Sequence, residues 1–319
     1  MNRRTFLGFA AGSAALDLGA KDSTIPIIDT HIHLFDPTRP QGVPWPEKDN
    51  KDDEVLYRPA LPDRYRQITQ GLGIVGVVEV ECSPWLEDNQ WVLDVAAKDT
   101  IIVGAVGDLE PGKPEFRKRL DRFHRNPLFL GIRYGNLWNR DLSAELSKPK
   151  FVEDLKALAE AGLELDTANQ DTALIAATVR LTDLVPNLRV VIDHLPQFDP
   201  PSEAKARRAF EANLRELGKR KQVYLKVSEV LRRVNGRVPD DVTFYRSRLD
   251  ELWEIFGEDR LMYGSDWPNS DLWAPYPQIL KIVREYVSAK GPAAAEKIFW
   301  KNSMAAYRWV KREAGQPQA

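Results

Sequence analysis

The chain has 319 residues, 43% of them hydrophobic and 29% charged, the make-up of a folded globular protein with material for a large core. A formal net charge of -2 gives no bulk attraction to nucleic acid or to an anionic membrane, so neither is expected as a partner. The single cysteine, Cys82, excludes an intrachain disulfide and reads as a buried, inert thiol.

In chain order, the first segment reads as an address. Asn2-Arg3-Arg4-Thr5-Phe6-Leu7-Gly8, followed by a mildly apolar Ala/Gly-rich stretch, resembles a twin-arginine export signal, so residues 1–22 are read as a signal segment ahead of one domain over 24–312. Asp17 interrupts that stretch, which is too short and weak to span a bilayer, and no later segment is long enough. The expectation is a bacterial protein exported to the periplasm; the alternative is a cytoplasmic protein with a loose N-terminal tail.

From residue 24 onward, short runs of Val, Ile and Leu alternate with longer amphipathic stretches, the rhythm of parallel βα units. Strands are expected at about 26–32, 72–81, 101–107, 128–133, 163–167, 188–193, 222–228 and 260–264. Helical patterns lie between them at 88–98, 116–125, 151–161, 172–184, 203–220 and 244–256, punctuated by Pro149, Pro186, Pro239 and Gly257. Eight such strands close a barrel, so the expected fold is α/β, a single (β/α)8 TIM barrel with a C-terminal helix. The one long irregular segment, Asp36 to Pro62, carries six prolines and is expected to lie over the barrel mouth as a lid or substrate loop.

In this fold, chemistry sits at the C-terminal ends of the strands. The first strand ends Ile27-Ile28-Asp29-Thr30-His31-Ile32-His33; alternation points His31 and His33 the same way, toward one metal ion or one substrate. Glu79 and Glu81 end the second strand, Arg133 the fourth, Asp166 and Asn169 the fifth, and His194 the sixth. Lys226 and Ser228 end the seventh and Asp266 the eighth, while His124 falls on a helix surface. Charged residues finishing apolar strands fit a catalytic mouth and are costly in a closed core. Trp45, Trp85, Tyr134, Trp138 and Trp267 are stacking candidates or barrel packing, and Asn269 and Asp271 could meet hydroxyls.

The ordered set Asp29-Thr30-His31-Ile32-His33, Gly131-Ile132-Arg133, Asp193-His194, Lys226-Val227-Ser228 and Tyr263-Gly264-Ser265-Asp266-Trp267-Pro268 resembles the amidohydrolase superfamily. Within it, the chain is similar to the branch of sugar-lactone and 2-pyrone-4,6-dicarboxylate lactonases. The resemblance spans about residues 24–310 and includes Lys297-Ile298-Phe299-Trp300-Lys301-Asn302-Ser303 as the closing Asn-containing motif. It implies a hydrolase that opens a lactone of the aldonolactone, pyrone or muconolactone type.

Two-metal members of the superfamily use a carboxylated lysine at the fourth strand and a histidine at the fifth; here those strands offer Gly131-Ile132-Arg133-Tyr134 and Leu165-Asp166-Thr167-Ala168-Asn169. The resemblance therefore implies at most one divalent ion, zinc, on His31, His33 and Asp266, with His194 or Glu81 as a further ligand. The branch also includes metal-independent enzymes, so either state fits. Asp266 is the expected general base, and His194 the group that polarises the carbonyl or orients water. Arg133, Lys226, Trp85, Tyr134 and Asn269 are the expected substrate-binding residues, with ion pairing to Glu79 or Glu81 the alternative for Arg133 and ion pairing the alternative for Lys226. The competing functions are a metal-dependent decarboxylase of the same superfamily and a non-catalytic barrel that binds a sugar acid. The partner is a small molecule, and homo-oligomerisation stays open.

Overall fold

Eight parallel strands pair in sequence order: β1 Ile27–Ile32, β2 Ile74–Val80, β3 Ile102–Gly107, β4 Phe129–Arg133, β5 Glu164–Asp166, β6 Arg189–Ile192, β7 Val223–Val227 and β8 Leu261–Tyr263. The computed structural model describes residues 25–168, 172–194 and 200–318. The signal segment 1–22 and Asn169 lie outside the described residues. The cylinder closes between β8 and β1, where Thr30 donates to the Tyr263 carbonyl, the Asp266 amide to His31 and the His33 amide to Trp267. This is the expected (β/α)8 barrel, with several strands shorter than the apolar runs suggest.

The helices are α1 Pro62–Ile68, α2 Leu86–Lys98, α3 Phe116–Phe123, α4 Leu142–Glu145, α5 Pro149–Glu160, α6 Thr172–Leu184, α7 Ala204–Gly218, α8 Val242–Phe256, α9 Tyr276–Ser288, α10 Pro292–Glu296 and α11 Asn302–Tyr307, with a π-helical turn at Lys297–Lys301 before α11. The sequence reading omits α9, although its buried positions 276, 279, 280, 283, 286 and 287 have helical spacing. His124 is exposed at the end of α3, as expected.

The apolar residues divide into two clusters. The larger packs the outer strand faces against the helices; the smaller, with Ile28, Val78, Val103, Val191 and Met262, fills the barrel interior and is plugged from below by Trp300, Tyr307 and Trp309. The fold also runs past residue 312. Arg312 donates to the carbonyls of Ala96, Asp99 and Ile102, and the buried Gln316 to those of Val75 and Thr100, so the tail closes the bottom of the barrel beneath β2 and β3.

A register shift between Asp29 and Ile32 decides which way β1 points its histidines. Ile28 belongs to the inner cluster and Ile32, four residues on, to the outer one, so strict alternation breaks between them and His31 and His33 finish on the inside. Asp29 faces outward, taking hydrogen bonds from Tyr65 and Tyr276 at 2.8 and 2.9 Å and from the Ser265 amide at 2.8 Å. The Pro-rich segment leaves β1 through a Phe35–Ala60 bridge and arches over the mouth as expected, pinned to α2 where Arg39 bonds Asp88 at 2.7 Å and lies over Trp91.

Candidate active site

The floor of the mouth is a triangle of donor atoms. His33 Nε2 lies 3.2 Å from Asp266 Oδ1, His31 Nε2 3.5 Å from the same oxygen, and the two Nε2 atoms are 3.3 Å apart. Tetrahedral zinc with bonds of about 2.0–2.1 Å separates its ligands by about 3.4 Å, so this spacing fits one such ion. His33 Nδ1 is 2.7 Å from the Val80 carbonyl, which requires a proton on Nδ1 and leaves the Nε2 lone pair facing the triangle. Asp266 Oδ1 is buried without a hydrogen-bond partner, while Oδ2 accepts from Asn269 Nδ2 at 2.7 Å. A buried carboxylate oxygen left open between two imidazoles is what a cation or a proton-bearing ligand would complete.

Beneath the triangle lies a buried charge network. Lys226 is fully enclosed, 2.5 Å from Asp166 Oδ2, 2.9 Å from Asp193 Oδ1 and 3.2 Å from His31 Nδ1. Burial opposes its charge, but Asp166 and Asp193 outweigh burial and keep its pKa raised. Lys226 therefore supports the floor and does not reach the cleft, which resolves it as an ion-pair partner and removes it from the expected substrate contacts. Asp193 joins the network to the site: it faces His31 Nδ1 at 3.4 Å and accepts from Arg133 Nε at 2.9 Å. Burial raises the Asp193 carboxyl, yet Lys226, His31 and Arg133 together hold it well below the usual range. Burial, reinforced by the Lys226 charge, pushes His31 well below its ordinary value. Glu164 packs its carboxyl against Gly131 of the neighbouring strand, where any side chain would collide.

The strands β6 and β7 reach the mouth by a shared device. Val190 and Ile192 face outward and Val191 inward, so after the inward Asp193 the next side chain belongs outside. His194 instead has φ 63° and swings back inside; Glu229, after the inward Ser228 on β7, does the same with φ 49°. Asp266 at β8 is also left-handed, at 61°. Left-handed backbone is unusual for such residues and concentrates at functional sites. His194 Nδ1 meets Ser228 Oγ at 2.9 Å, and Nε2 lies 3.7 Å from Glu229 Oε1. Burial alone would raise the Asp266 carboxyl; the charge of His194 and the contacts from His33 and His31 reverse this and hold it below the usual carboxylate range.

Above the triangle opens a cleft of about 530 Å³ lined by His33, Trp45, Arg133, Trp138, Asn269 and Glu229, among others. The expected His31, His33, His194, Arg133, Asp266 and Asn269 thus converge. Glu81 does not join the triangle. Its Oε1 accepts from the Trp138 indole at 2.6 Å, and burial together with the Asp108 charge pushes its carboxyl up to about 8. Arg133 pairs with Asp193 rather than with the carboxylates of Glu79 or Glu81, touching only the Glu81 backbone carbonyl at 3.0 Å.

Two expected aromatic contacts lie elsewhere. Trp85 is half-buried at the start of α2, and Tyr134 packs at a tilt against Phe151 and under Arg140, outside the cleft lining. Trp267 is buried against Tyr65 as barrel packing, and Asp271 pairs with Arg64 at 2.5 Å away from the mouth. Cys82 is buried at the edge of the cleft, and burial pushes its thiol up. The sequence reading misses Glu229 and undervalues Asp193, whose place beside His194 in one motif was the available signal.

Among the described residues, no helix is long and apolar enough to cross a membrane. The amidohydrolase family model matches residues 28–309. An L-fucono-1,5-lactonase of Burkholderia ambifaria is 26% identical over 301 residues, covering 92% of this chain and 98% of that protein. A crystal structure of a Burkholderia multivorans amidohydrolase with bound zinc superposes with a TM-score of 0.78 at 20% identity, covering 89% of this chain and all of the other. The crystal structure of a 2-pyrone-4,6-dicarboxylic acid hydrolase from Pseudomonas putida, itself an inferred activity, superposes at 0.65 and 21% identity, covering 89% of this chain and 98% of the other. The matched span covers the barrel from the second residue of β1 through β8, and the chain belongs to the amidohydrolase family.

Proposed function

We propose that the protein is a lactonase that opens a small lactone by attack of water on the ring carbonyl. One observation carries this reading: the open Asp266 Oδ1 sits between His31 Nε2 and His33 Nε2 at the floor of a cleft that also presents His194 and Arg133. The lactonase names of the relatives that align over nearly the whole chain support it.

The residues divide the labour of hydrolysis. Asp266 is held ionised, so its Oδ1 accepts the proton of the attacking water. The same carboxyl returns that proton to the departing ring oxygen. His194 Nδ1 meets Ser228 Oγ at 2.9 Å, which leaves Nε2 to donate to the carbonyl oxygen as negative charge builds there. Arg133, fixed by Asp193, presents its fork to substrate oxygens. His31, His33 and Asp266 would hold one zinc ion, which when bound supplies charge stabilisation at the carbonyl oxygen. The zinc-bound neighbour and the triangle's spacing support that assignment.

A pH-indicator screen of aldonolactones and pyrone carboxylates tests the activity, because lactone opening releases acid. Release of carbon dioxide instead would establish the decarboxylase reading, and silence across the panel would favour a binder. On the best lactone, Asp266→Asn should lower kcat by about 10²–10⁴-fold, the range for loss of a general base. Full activity in that variant would overturn the mechanism.

A further inference from the structure

Glu229 stands in the cleft and has no part in the steps above. On β7, Val223, Leu225 and Val227 pack outward while Lys226 and Ser228 point inward, so alternation would send Glu229 outside. Its left-handed backbone turns it back, and a conformation that disfavours non-glycine residues is used to place a carboxylate in the wall. Around it stand Trp45 and Trp138 with their aromatic faces, Leu137, and the Asn269 amide. Among the described residues Arg133 is the one lysine or arginine that lines the cleft, and Asp193 matches its charge. The stretches 169–171 and 195–199, outside the described residues, contain no lysine or arginine.

This inventory discriminates between the two lactone classes. A lactone bearing carboxylates needs cationic forks to replace its hydration, and here it would set like charge against Glu229. A neutral ring rich in hydroxyls can stack an apolar face on tryptophan and donate hydroxyl protons to a carboxylate. We propose that Glu229 determines specificity: it accepts a hydrogen bond from a ring hydroxyl of a neutral polyhydroxylated lactone and repels lactones that carry carboxylates. This rests on the lactonase reading above.

The test compares kcat/KM of the full chain and of Glu229→Gln on a neutral aldonolactone and on 2-pyrone-4,6-dicarboxylate. The wild type should favour the neutral lactone, and in Glu229→Gln the ratio of neutral to dicarboxylate kcat/KM should fall by about tenfold or more, chiefly through KM, as expected for losing a charged hydrogen bond and a like-charge repulsion. Glu229→Asn, which tolerates left-handed backbone, should move the ratio the same way, so a misfolded first variant does not end the test. An unchanged ratio in both variants overturns the proposal, and so does an equal loss on both substrates, which would make Glu229 a support for His194. A wild type that opens neither lactone overturns the lactonase reading itself and this proposal with it.

Discussion

Asp193 shows how one buried side chain can set the geometry of several others. Its two oxygens face His31, Lys226 and Arg133, which couples a floor imidazole, the supporting lysine and the cleft arginine through a single carboxylate. Asp193→Asn removes the charge without the shape. It should weaken zinc retention or activity by about 10–100-fold, the range for a group that orients a metal-ligating histidine. Elemental analysis after dialysis and the split between kcat and KM check this; unchanged zinc and kinetics would reduce Asp193 to structural support. Glu81 is a second buried carboxyl with a different role, pushed up to about 8 and bonded to Trp138. Its raised value means its contribution to stability is complete below the unfolded value near 4.5 and is lost as pH rises through about 8. Glu81→Gln mimics the protonated form, so its stability relative to wild type should improve between pH 5 and pH 9. Thermal unfolding across that window measures the slope, and a flat difference contradicts it.

At the scale of elements, three strands deliver their side chains to the mouth by leaving regular geometry rather than by extending it. The register shift in β1 turns His31 and His33 inward, and left-handed residues after β6 and β7 put two consecutive side chains at the mouth, Asp193 with His194 and Ser228 with Glu229. A strand alone can offer the interior only every second residue. The Arg39 contact with Asp88 and Trp91 ties the lid to α2, and the lid brings Trp45 against the His33 ring at 5.8 Å. Arg39→Ala releases that tie. KM should rise severalfold while kcat changes less, because the substitution loosens the wall and leaves the floor intact. Steady-state kinetics on the best lactone decide; a loss confined to kcat would mean that the lid serves chemistry.

For the whole molecule, the barrel separates stability from chemistry along its axis. The bottom is sealed by Trp300, Tyr307, Trp309 and the tail through Gln316, and the top holds the cleft. We propose further that residues 1–22 direct export and are removed, on the strength of the Arg3-Arg4 pair and the small-residue stretch that follows. Mass spectrometry of the mature protein from its natural host should find a shortened N-terminus and periplasmic recovery; an intact Met1 would refute export.

Much of this was legible in the sequence because it depends on local periodicity. Apolar runs near residues 27, 74, 102, 129, 189 and 223 announce strands by composition, and polar residues closing them announce a mouth. The sequence by itself therefore determined the barrel, the family, and the convergence of His31, His33, His194, Arg133 and Asp266. What it could not carry was the direction of side chains wherever the backbone departs from alternation, and the choice of partner among charges distant in the chain. Glu229 goes unnoticed until φ 49° is known, Lys226 stays open between substrate contact and ion-pair partner until Asp166 and Asp193 enclose it, and Arg133 keeps Glu79 or Glu81 as alternative partners until Asp193 is seen beside it. Pairing of buried charges is settled by distance and desolvation in three dimensions, and only the tertiary structure sets either.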